Sequence, residues 1–304
     1  MIDGILNVYK EPGFTSHDVV AKLRGILRQK KIGHTGTLDP EASGVLPVCL
    51  GKGTKLCDML TDRDKVYEAQ MILGIATDTL DMSGQVLKSE AVDLSPDEIT
   101  AAVDRFVGCY EQIPPMYSAL KVGGRKLCDL ARAGIEVERK PRPVEIYSID
   151  IKEIVPYNDH KISVLMKVHC SKGTYIRSLC DDIGQKLGCP AVMGSLLRTV
   201  CAGFKLEDAL KLSEIESLVR ANVIEKYVVP VEMAFQTLPG VYMKADASRF
   251  LYNGNPFELN NVQKVSGILS DGCRVRVYDH DGSFLAVYSY SEKDQKFRTI
   301  KMFL

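Results

Sequence analysis

Residues 33 to 55 read GHTGTLDPEASGVLPVCLGKGTK, a stretch in which five glycines and two prolines interrupt short apolar pieces. Within it, the acid Asp39 stands between Leu38 and Pro40. A proline disfavours helical geometry at the residue before it, and glycines allow the backbone to approach a ligand closely. The stretch therefore predicts a loop that displays Asp39, although an Asp-Pro turn without chemistry also fits these residues.

The end of this stretch, LGKGTK, superficially suggests a phosphate-binding loop. The G-x-x-x-x-G-K-[ST] pattern needs a serine or threonine directly after its lysine, because that hydroxyl reaches the magnesium ion. Here Gly53 follows Lys52, and the spacing of the glycines also differs from the pattern. The sequence therefore excludes a nucleotide-binding loop of this type.

The segments on either side of the loop show regular apolar periodicity. Residues 2 to 9 predict a strand, and Ser16 is a candidate cap for a helix whose apolar residues follow the helical period. Residues 65 to 74 alternate between apolar and polar, which places Tyr67 on the apolar face of a strand. Further on, the residues from Ser95 to Glu98 form a capping-box sequence that predicts another helix.

The middle of the chain adds two strands and a helix. Residues 144 to 151 and 162 to 170 alternate as strands do, and residues 171 to 188 lead into a helix that starts near Arg177. Strands and helices do not alternate in regular βα units here. We therefore predict a mixed α+β fold with a largely antiparallel sheet and flanking helices.

The length of 304 residues favours two domains, since single hydrophobic cores stop growing at roughly 250 to 300 residues. Near Leu238 the pattern changes to short alternating strands, two of which are joined across an Asp281-Gly282 turn. We therefore expect a large domain over residues 1 to 236 and a small β-domain over residues 241 to 304.

The composition is that of an average soluble protein, with 45% apolar and 26% charged residues. The longest apolar runs fall far short of the ~20 residues that a membrane helix needs. The start, MIDGILNVYKEPG, carries acids and a Pro-Gly turn where a signal peptide has basic residues followed by an apolar stretch. We expect a cytoplasmic protein that does not bind membranes.

Cysteine and histidine spacing gives no indication of a metal site. The nine cysteines are scattered without a C-x-x-C pair, and the five histidines show no H-E-x-x-H or similar ligand spacing. We expect reduced thiols and no bound metal.

Charge is balanced overall but unevenly distributed. The 39 basic and 39 acidic residues cancel, so the net charge does not point to a nucleic-acid partner. Residues 19 to 38, however, contain no acid and include Arg28, Lys30 and Lys31, and a second basic cluster lies between residues 121 and 142. Such runs are usually solvated faces, but they are also the candidates for contacts with phosphates.

Four blocks of the chain resemble, in order and spacing, the TruB-type tRNA pseudouridine-55 synthases. They are GHTGTLDPEASGVLPVCLGKGTK (33 to 55), KVYEAQMILGIATDTLDMSG (65 to 84), PPMYSALKVGGRKLCDLARAG (114 to 134) and SKGTYIRSLCDDIGQKLG (171 to 188). The terminal β-domain is similar, less specifically, to the PUA-like RNA-binding tail of that family. The resemblance implies a pseudouridine synthase fold for residues 1 to 236 and the isomerisation of a uridine in the T-loop of tRNA to pseudouridine.

The resemblance also implies roles for three residues. Asp39 matches the nucleophilic aspartate that attacks the flipped uridine, whose base is detached, rotated and rejoined through C5. Arg177 matches the arginine that pairs with this aspartate, and Tyr67 matches the tyrosine that stacks on the base and helps to remove a proton late in the reaction. Because a nearby cation lowers the pKa of a carboxylate, Arg177 would offset the desolvation of Asp39 in a closed pocket.

Three further positions match with less specific roles. His34 corresponds to the histidine that enters the space left by the flipped nucleotide, and Lys55 and Asp81 correspond to positions that contact RNA or orient the loop. Base flipping costs least where bases are loosely stacked, as in a tRNA loop. The isomerisation is redox-neutral and internal to one nucleoside, so we expect no cofactor and no metal, and the resemblance implies a monomer.

Two other readings of the sequence compete with this one. A related uridine isomerase acts as the catalytic subunit of a guide-RNA particle, but such proteins usually carry longer basic extensions. An RNA-binding module or tRNA-folding chaperone would not need Asp39, Tyr67 and Arg177 together. Both readings predict a different result when the purified protein meets an unmodified tRNA.

Overall fold

The computed structural model describes all 304 residues, whose strands form a ten-stranded sheet, a six-stranded sheet and two small hairpins. The strands up to residue 229 are β1 (Gly4–Lys10), β2 (Ile32–His34), β3 (Ser43–Leu50), β4 (Lys65–Leu73), β5 (Ile75–Thr77), β6 (Val86–Ser89), β7 (Gly108–Gln112), β8 (Lys121–Val122), β9 (Arg125–Lys126), β10 (Arg142–Tyr157), β11 (Lys161–Cys170), β12 (Ala191–Cys201), β13 (Phe204–Lys205) and β14 (Val228–Val229). The helices of this part are α1 (Ser16–Ile26), α2 (Cys57–Thr61), α3 (Pro96–Asp104), α4 (Leu127–Arg132), α5 (Ile176–Leu187) and α6 (Leu212–Arg220).

The larger sheet has the strand order β14-β1-β3-β12-β4-β11-β10-β7, with β2 beside β3 and β13 beside β12. Its pairs are antiparallel except for β3 and β12, which run parallel over a short register. This arrangement confirms the predicted α+β fold with a largely antiparallel sheet. Strand β12, from the second half of the chain, lies between β3 and β4, which both come from the early part of the sequence. The parallel pair of β3 and β12 therefore joins distant parts of the chain.

Helices cover the sheet in two places. Helices α3 and α5 pack with the middle strands around a cluster of 20 buried apolar residues, and Tyr67 and Leu38 belong to this cluster. Helices α1 and α6 pack against β1 and β3 around a second cluster of 11 residues. None of the helices combines the length and the apolar character that a membrane crossing requires.

The six-stranded sheet begins at Gly240 and fits the expected small PUA-like β-domain. Its strands are β15 (Gly240–Met243), β16 (Phe257–Glu258), β17 (Val262–Ser266), β18 (Arg274–Tyr278), β19 (Phe284–Ser291) and β20 (Lys296–Met302), with a short helix α7 (Arg249–Tyr252). Their order is β16-β20-β19-β18-β15-β17. The predicted hairpin across Asp281 and Gly282 is formed by β18 and β19.

The two sheets share a hydrophobic core rather than meeting at a polar surface. Ile5 and Leu56 from the first part pack with Phe235 in the connection and with Phe303 at the end of the chain. The rings of Phe235 and Phe303 lie 5.6 Å apart, centroid to centroid. The small domain therefore supports the part of the chain that includes β1 and β3.

The start of α1 differs from the prediction by one residue. Thr15, not Ser16, is the N-cap, and its side chain accepts a hydrogen bond from the backbone N–H of Asp18 in a full capping box. Ser16 is buried instead, and its hydroxyl accepts a hydrogen bond of 2.9 Å from the backbone N–H of Leu38. The predicted capping box at the start of α3 is confirmed, with Ser95 as the N-cap and Glu98 as its partner.

Candidate active site

Asp39 lies in the loop that connects β2 to β3, and buried side chains fix the backbone of that loop. The ammonium group of Lys10 donates hydrogen bonds of 2.9 Å to the carbonyl of Pro40 and 2.6 Å to the carbonyl of Ala42. Ser16 holds the N–H of Leu38, directly before Asp39. With the backbone tied on both sides, the Asp39 side chain projects from the loop and is 35% exposed.

Arg177 binds the Asp39 carboxylate in a bidentate arrangement, through two of its nitrogens. Its Nη2 donates a hydrogen bond of 3.1 Å to Oδ1 of Asp39, and its Nε lies 3.0 Å from Oδ2. The other bonds of the guanidinium go to backbone carbonyls, at 2.9 Å to Thr79 and 2.8 Å to Tyr117. Arginine is suited to this fork because its planar donors match the two oxygens of a carboxylate. The predicted Asp39–Arg177 pair is thus formed in the structure.

Asp81 lies near the same guanidinium. Its Oδ2 is 3.7 Å from Nε of Arg177, while its Oδ1 accepts hydrogen bonds from the Thr79 hydroxyl at 2.8 Å and from the N–H of Ser83 at 3.0 Å. The turn after β5 therefore holds Asp81 in place. Asp81 thus lies beside Arg177, and its expected role of orienting the loop or contacting RNA stays a prediction.

Two opposing effects set the pKa of Asp39. Burial raises the pKa of its carboxyl above the ordinary value, and the nearby charge of Asp81 also raises it. The Arg177 guanidinium acts against both, since it stabilises the ionised form. The site therefore holds a carboxylate that is partly desolvated but keeps a cation at two oxygens.

Tyr67 is buried on β4, as its position on the apolar face predicts. It packs in the same cluster as Leu38, the neighbour of Asp39, and its side chain is 7% exposed. Burial raises the pKa of the Tyr67 phenol, and the Arg198 guanidinium acts in the opposite direction. The ring is therefore part of the wall next to the Asp39 loop.

His34 stands at the end of β2, two residues before the glycine that opens the Asp39 loop. Its Nδ1 lies 3.4 Å from the N–H of Gly36, and its ring meets His17 edge-on at 5.1 Å between centroids. Burial lowers the pKa of His34, and the nearby His17 lowers it further. A histidine with a lowered pKa is uncharged at neutral pH and acts as a ring rather than as a phosphate-binding cation.

The predicted cationic RNA contacts lie outside the loop that carries Asp39. Arg28, Lys30 and Lys31 are all exposed in the connection between α1 and β2, and no acid lies within ion-pair distance of them. Lys55 makes a contact of a different kind. Its ammonium lies 3.3 Å from the backbone oxygen of Leu304, at the end of the chain.

Sequence reasoning missed two buried cations that contact the Asp39 loop, Lys10 and Arg198. Both are fully buried. Burial lowers the pKa of Lys10 to about 8, so its ammonium still carries its charge at neutral pH. The available signal was a basic residue at a buried position of a strand, since such residues are seldom fully buried without a specific partner. No group of three or more His, Cys, Asp or Glu side chains is arranged to hold a metal ion.

Comparison with known proteins places Asp39, Tyr67 and Arg177 within matched regions. The family model described as TruB family pseudouridylate synthase, N-terminal domain, matches residues 24–176. The model described as tRNA pseudouridylate synthase B C-terminal domain matches residues 177–236, and so ends before the six-stranded sheet.

Full-length relatives and solved structures extend the match. The chain is 52% identical to tRNA pseudouridine synthase B of Lachnoclostridium phytofermentans, covering 100% of both chains. It is 40% identical to the protein of that name from Bacillus subtilis, over 95% of this chain and 93% of the relative. Among solved structures, a chain of a Cbf5-Nop10-Gar1 complex is 29% identical with a TM-score of 0.72, over 99% of this chain and 85% of that one. A chain of an H/ACA RNP bound to a substrate RNA has the same TM-score at 27% identity, over 99% and 85% of the two chains.

Proposed function

This chain belongs to the TruB family of pseudouridylate synthases and isomerises uridine to pseudouridine in tRNA, and we propose that its target is the T-loop uridine at position 55, with Asp39 as the nucleophile. One observation carries the assignment of Asp39. Its carboxylate is held at both oxygens by the buried Arg177, on a loop whose backbone is tied on either side.

The net reaction needs one positioned carboxylate and no external electron carrier. The bond from N1 of uracil to the ribose breaks, a bond from C5 to the same sugar carbon forms, C5 loses a proton and N1 gains one. Asp39 can serve as the nucleophile in its ionised form, which the Arg177 guanidinium stabilises while fixing the direction of the carboxylate. The burial that raises its pKa also leaves its oxygens less hydrated and so more reactive toward a bound nucleoside.

Arg177 connects the charged groups of the site to the backbone around them. It faces two carboxylates, so the group of Arg177, Asp39 and Asp81 carries one net negative charge when both acids are ionised. Its remaining bonds to the carbonyls of Thr79 and Tyr117 keep the guanidinium from following the nucleophile when the substrate enters. This support favours a geometry that is organised before the substrate binds.

We assign the contacts with the flipped base to Tyr67, and the filling of the space that this base leaves to His34. Tyr67 presents a buried ring beside the loop, which suits stacking on the uracil. Its phenol oxygen is the candidate acceptor of the C5 proton, and the Arg198 guanidinium opposes the rise in the phenol pKa that burial causes. His34, with its lowered pKa, fills the space of the flipped nucleotide as an uncharged ring.

Contact with the rest of the tRNA is assigned to cations outside the site. Arg28, Lys30 and Lys31 are exposed without acid partners, as phosphate-binding residues need to be. Lys55, whose ammonium donates a hydrogen bond to the backbone oxygen of Leu304, is assigned to the same contact, and residues 241 to 304 add a PUA-like RNA-binding surface. We propose a cytoplasmic monomer that needs no cofactor or metal for this redox-neutral isomerisation. Because Asp39, Tyr67, Asp81 and Arg177 all come from one chain, the proposed site needs no residue from a second copy.

The purified protein alone, mixed with an unmodified tRNA transcript, tests this function. We expect one pseudouridine, located by chemical mapping at the T-loop uridine, without guide RNA, metal or cofactor. A requirement for guide RNA would favour the guide-RNA subunit instead. Faster refolding of the tRNA without any pseudouridine would favour the chaperone.

A further inference from the structure

Arg198 on β12 is a buried arginine that no acid neutralises. Its side chain is 1% exposed, and no carboxylate lies within ion-pair distance of it. An arginine keeps its charge in a protein, so it cannot escape the penalty of burial by losing a proton. Charged residues are almost never fully buried unless they are paired.

The donors of Arg198 reach both ends of the Asp39 loop. Its Nε donates a hydrogen bond of 2.7 Å to the carbonyl of Val45, and its Nη1 lies 3.5 Å from the carbonyl of Thr37. Its Nη2 is buried and has no hydrogen-bond partner. Asp39 lies between these two carbonyls along the chain, so the guanidinium spans the base of the loop.

The backbone of Arg198 is attached to the same two parts of the site. On one side it is paired with Gly44 of β3, and on the other with Tyr67 of β4. Gly44 has φ +108°, and a Cβ there would collide with the carbonyl oxygen of Arg198. The strands therefore approach closely at this point, and Arg198 lies directly between the Asp39 loop and Tyr67.

Stability alone does not explain a charge at this position. An apolar side chain would fill the space without desolvating a guanidinium or leaving a buried nitrogen unpaired. The feature that an apolar residue could not supply is the bridge from Tyr67 to the carbonyls of Thr37 and Val45.

We infer that Arg198 is a positioning residue, which fixes the Asp39 loop against Tyr67 so that nucleophile and ring meet the flipped base at a constant separation. The inference rests on the proposed function. Arg198 acts through Asp39 and Tyr67. Its loss should therefore slow the chemical step and leave the binding of tRNA unchanged.

The test compares Arg198→Met with Lys65→Met in the full chain. Lys65 is a matched control because it is also a buried cation, 7% exposed, whose hydrogen bonds go to backbone carbonyls, those of Thr61 and Arg63. For each variant, the single-turnover rate of pseudouridine formation, the Kd for tRNA and the thermal unfolding temperature are measured. Wild-type protein in the same assay reports on the proposed function itself.

For Arg198→Met we expect a single-turnover rate about 100-fold below wild type, the loss that a displacement of about 1 Å causes, with the Kd within about three-fold. Lys65→Met should react at a rate within about three-fold of wild type, although its unfolding temperature should drop by about as much as that of Arg198→Met. A wild-type rate for folded Arg198→Met would overturn the inference, as would an equal loss in both variants. Inactive wild-type protein would instead overturn the proposed function.

A second variant and a double mutant keep the test decisive if Arg198→Met does not fold. Arg198→Lys keeps the charge but reaches one carbonyl, so its rate should lie between those of wild type and an inactive enzyme. Combined with Tyr67→Phe, it should lose less than the product of the two single losses, because both changes affect one arrangement. If the rate loss of the double mutant equals the product of the two single losses, the two changes act independently, which contradicts the coupling that we infer.

Discussion

Arg177 and Arg198 are two buried arginines of one site, and they differ in what they hold. Arg177 faces two carboxylates, Asp39 and Asp81, in addition to two carbonyls. The hydrogen bonds of Arg198 go only to backbone carbonyls, no carboxylate pairs with it, and one of its nitrogens is unpaired. The first therefore controls the charge of the nucleophile, and the second the position of the loop that carries it. A variant that changes charge should differ from one that changes position in its pH dependence.

The largest expected effect follows from removing the anion that Arg177 holds. Asp39→Asn keeps the side-chain volume but cannot attack the nucleoside, so turnover should fall by at least about 100-fold. The Kd for tRNA should stay within a few-fold of wild type, because the phosphate contacts are unchanged. Single-turnover assays and filter binding measure both quantities. Turnover of the Asn variant above one hundredth of wild type would sink the assignment of Asp39.

The next effect concerns the ring next to Arg198. Tyr67→Phe keeps the stacking surface but lacks the hydroxyl, so the rate should fall by about 100-fold, in the range of general acid-base catalysis, with binding retained. Tyr67→Leu should also weaken binding, because it removes the ring. The rates and Kd values of both variants are compared with wild type. If Tyr67→Phe is as active as wild type, Tyr67 has only a packing role.

A smaller effect, on the pH profile of the rate, distinguishes a variant that changes the charge near Asp39 from one that changes the position of its loop. Asp81 raises the pKa of Asp39, so Asp81→Asn should lower that pKa and move the acid limb of the single-turnover rate to lower pH. The sign follows because Asp39 must be ionised, and ionisation then persists further into acid. The plateau rate should drop by about ten-fold, since Arg177 loses one of its supports.

Arg198→Lys provides the contrast for that pH profile. It keeps a positive charge in the same place, so its acid limb should stay where wild type has it, while its plateau falls. A shift of the Asp81→Asn limb to higher pH, or no shift, would contradict the account of the Asp39 pKa.

The sequence predicted the parts of the site that depend on local chemistry. The glycines and prolines of the 33 to 55 stretch indicated the Asp39 loop, and the Ser95 capping box indicated α3, because such signals act within a few residues. Ser16 was assigned as a cap, whereas it is turned inward to hold the N–H of Leu38. A cap and a buried contact use the same hydroxyl, and only the packing of α1 decides between them.

Contacts between distant parts of the chain could not be predicted in this way. The bond from Arg198 to Val45 joins residues 153 positions apart, and that from Lys55 to Leu304 spans 249 positions. The core shared by Ile5, Leu56, Phe235 and Phe303 likewise depends on how the two sheets meet. Deleting residues from 241 onward would expose this core, so point variants are the better test of the small domain.

The smallest effect on the chemical step should come from cations that neither arginine touches. Reversing the charges of Arg28, Lys30 and Lys31 should weaken tRNA binding but leave the rate at saturating tRNA close to wild type. Because each lost phosphate contact reduces the slope of log affinity against log salt by roughly 0.7 to 0.9, the slope should flatten by about two to three. Neither Arg177 nor Arg198 can contribute to this slope, since both are buried.

A matched control reverses three exposed cations that already pair with acids, namely Lys88, Lys205 and Arg220, at 2.8, 3.6 and 2.6 Å from Glu90, Glu207 and Glu216. It changes the net charge by the same amount, so any loss due to overall repulsion appears in both triple variants. Titrations at several salt concentrations then isolate the contribution of the 28 to 31 segment. Equal slopes for the two triple variants would mean that this segment does not contact phosphate, and that the RNA approaches the Asp39 loop from another side.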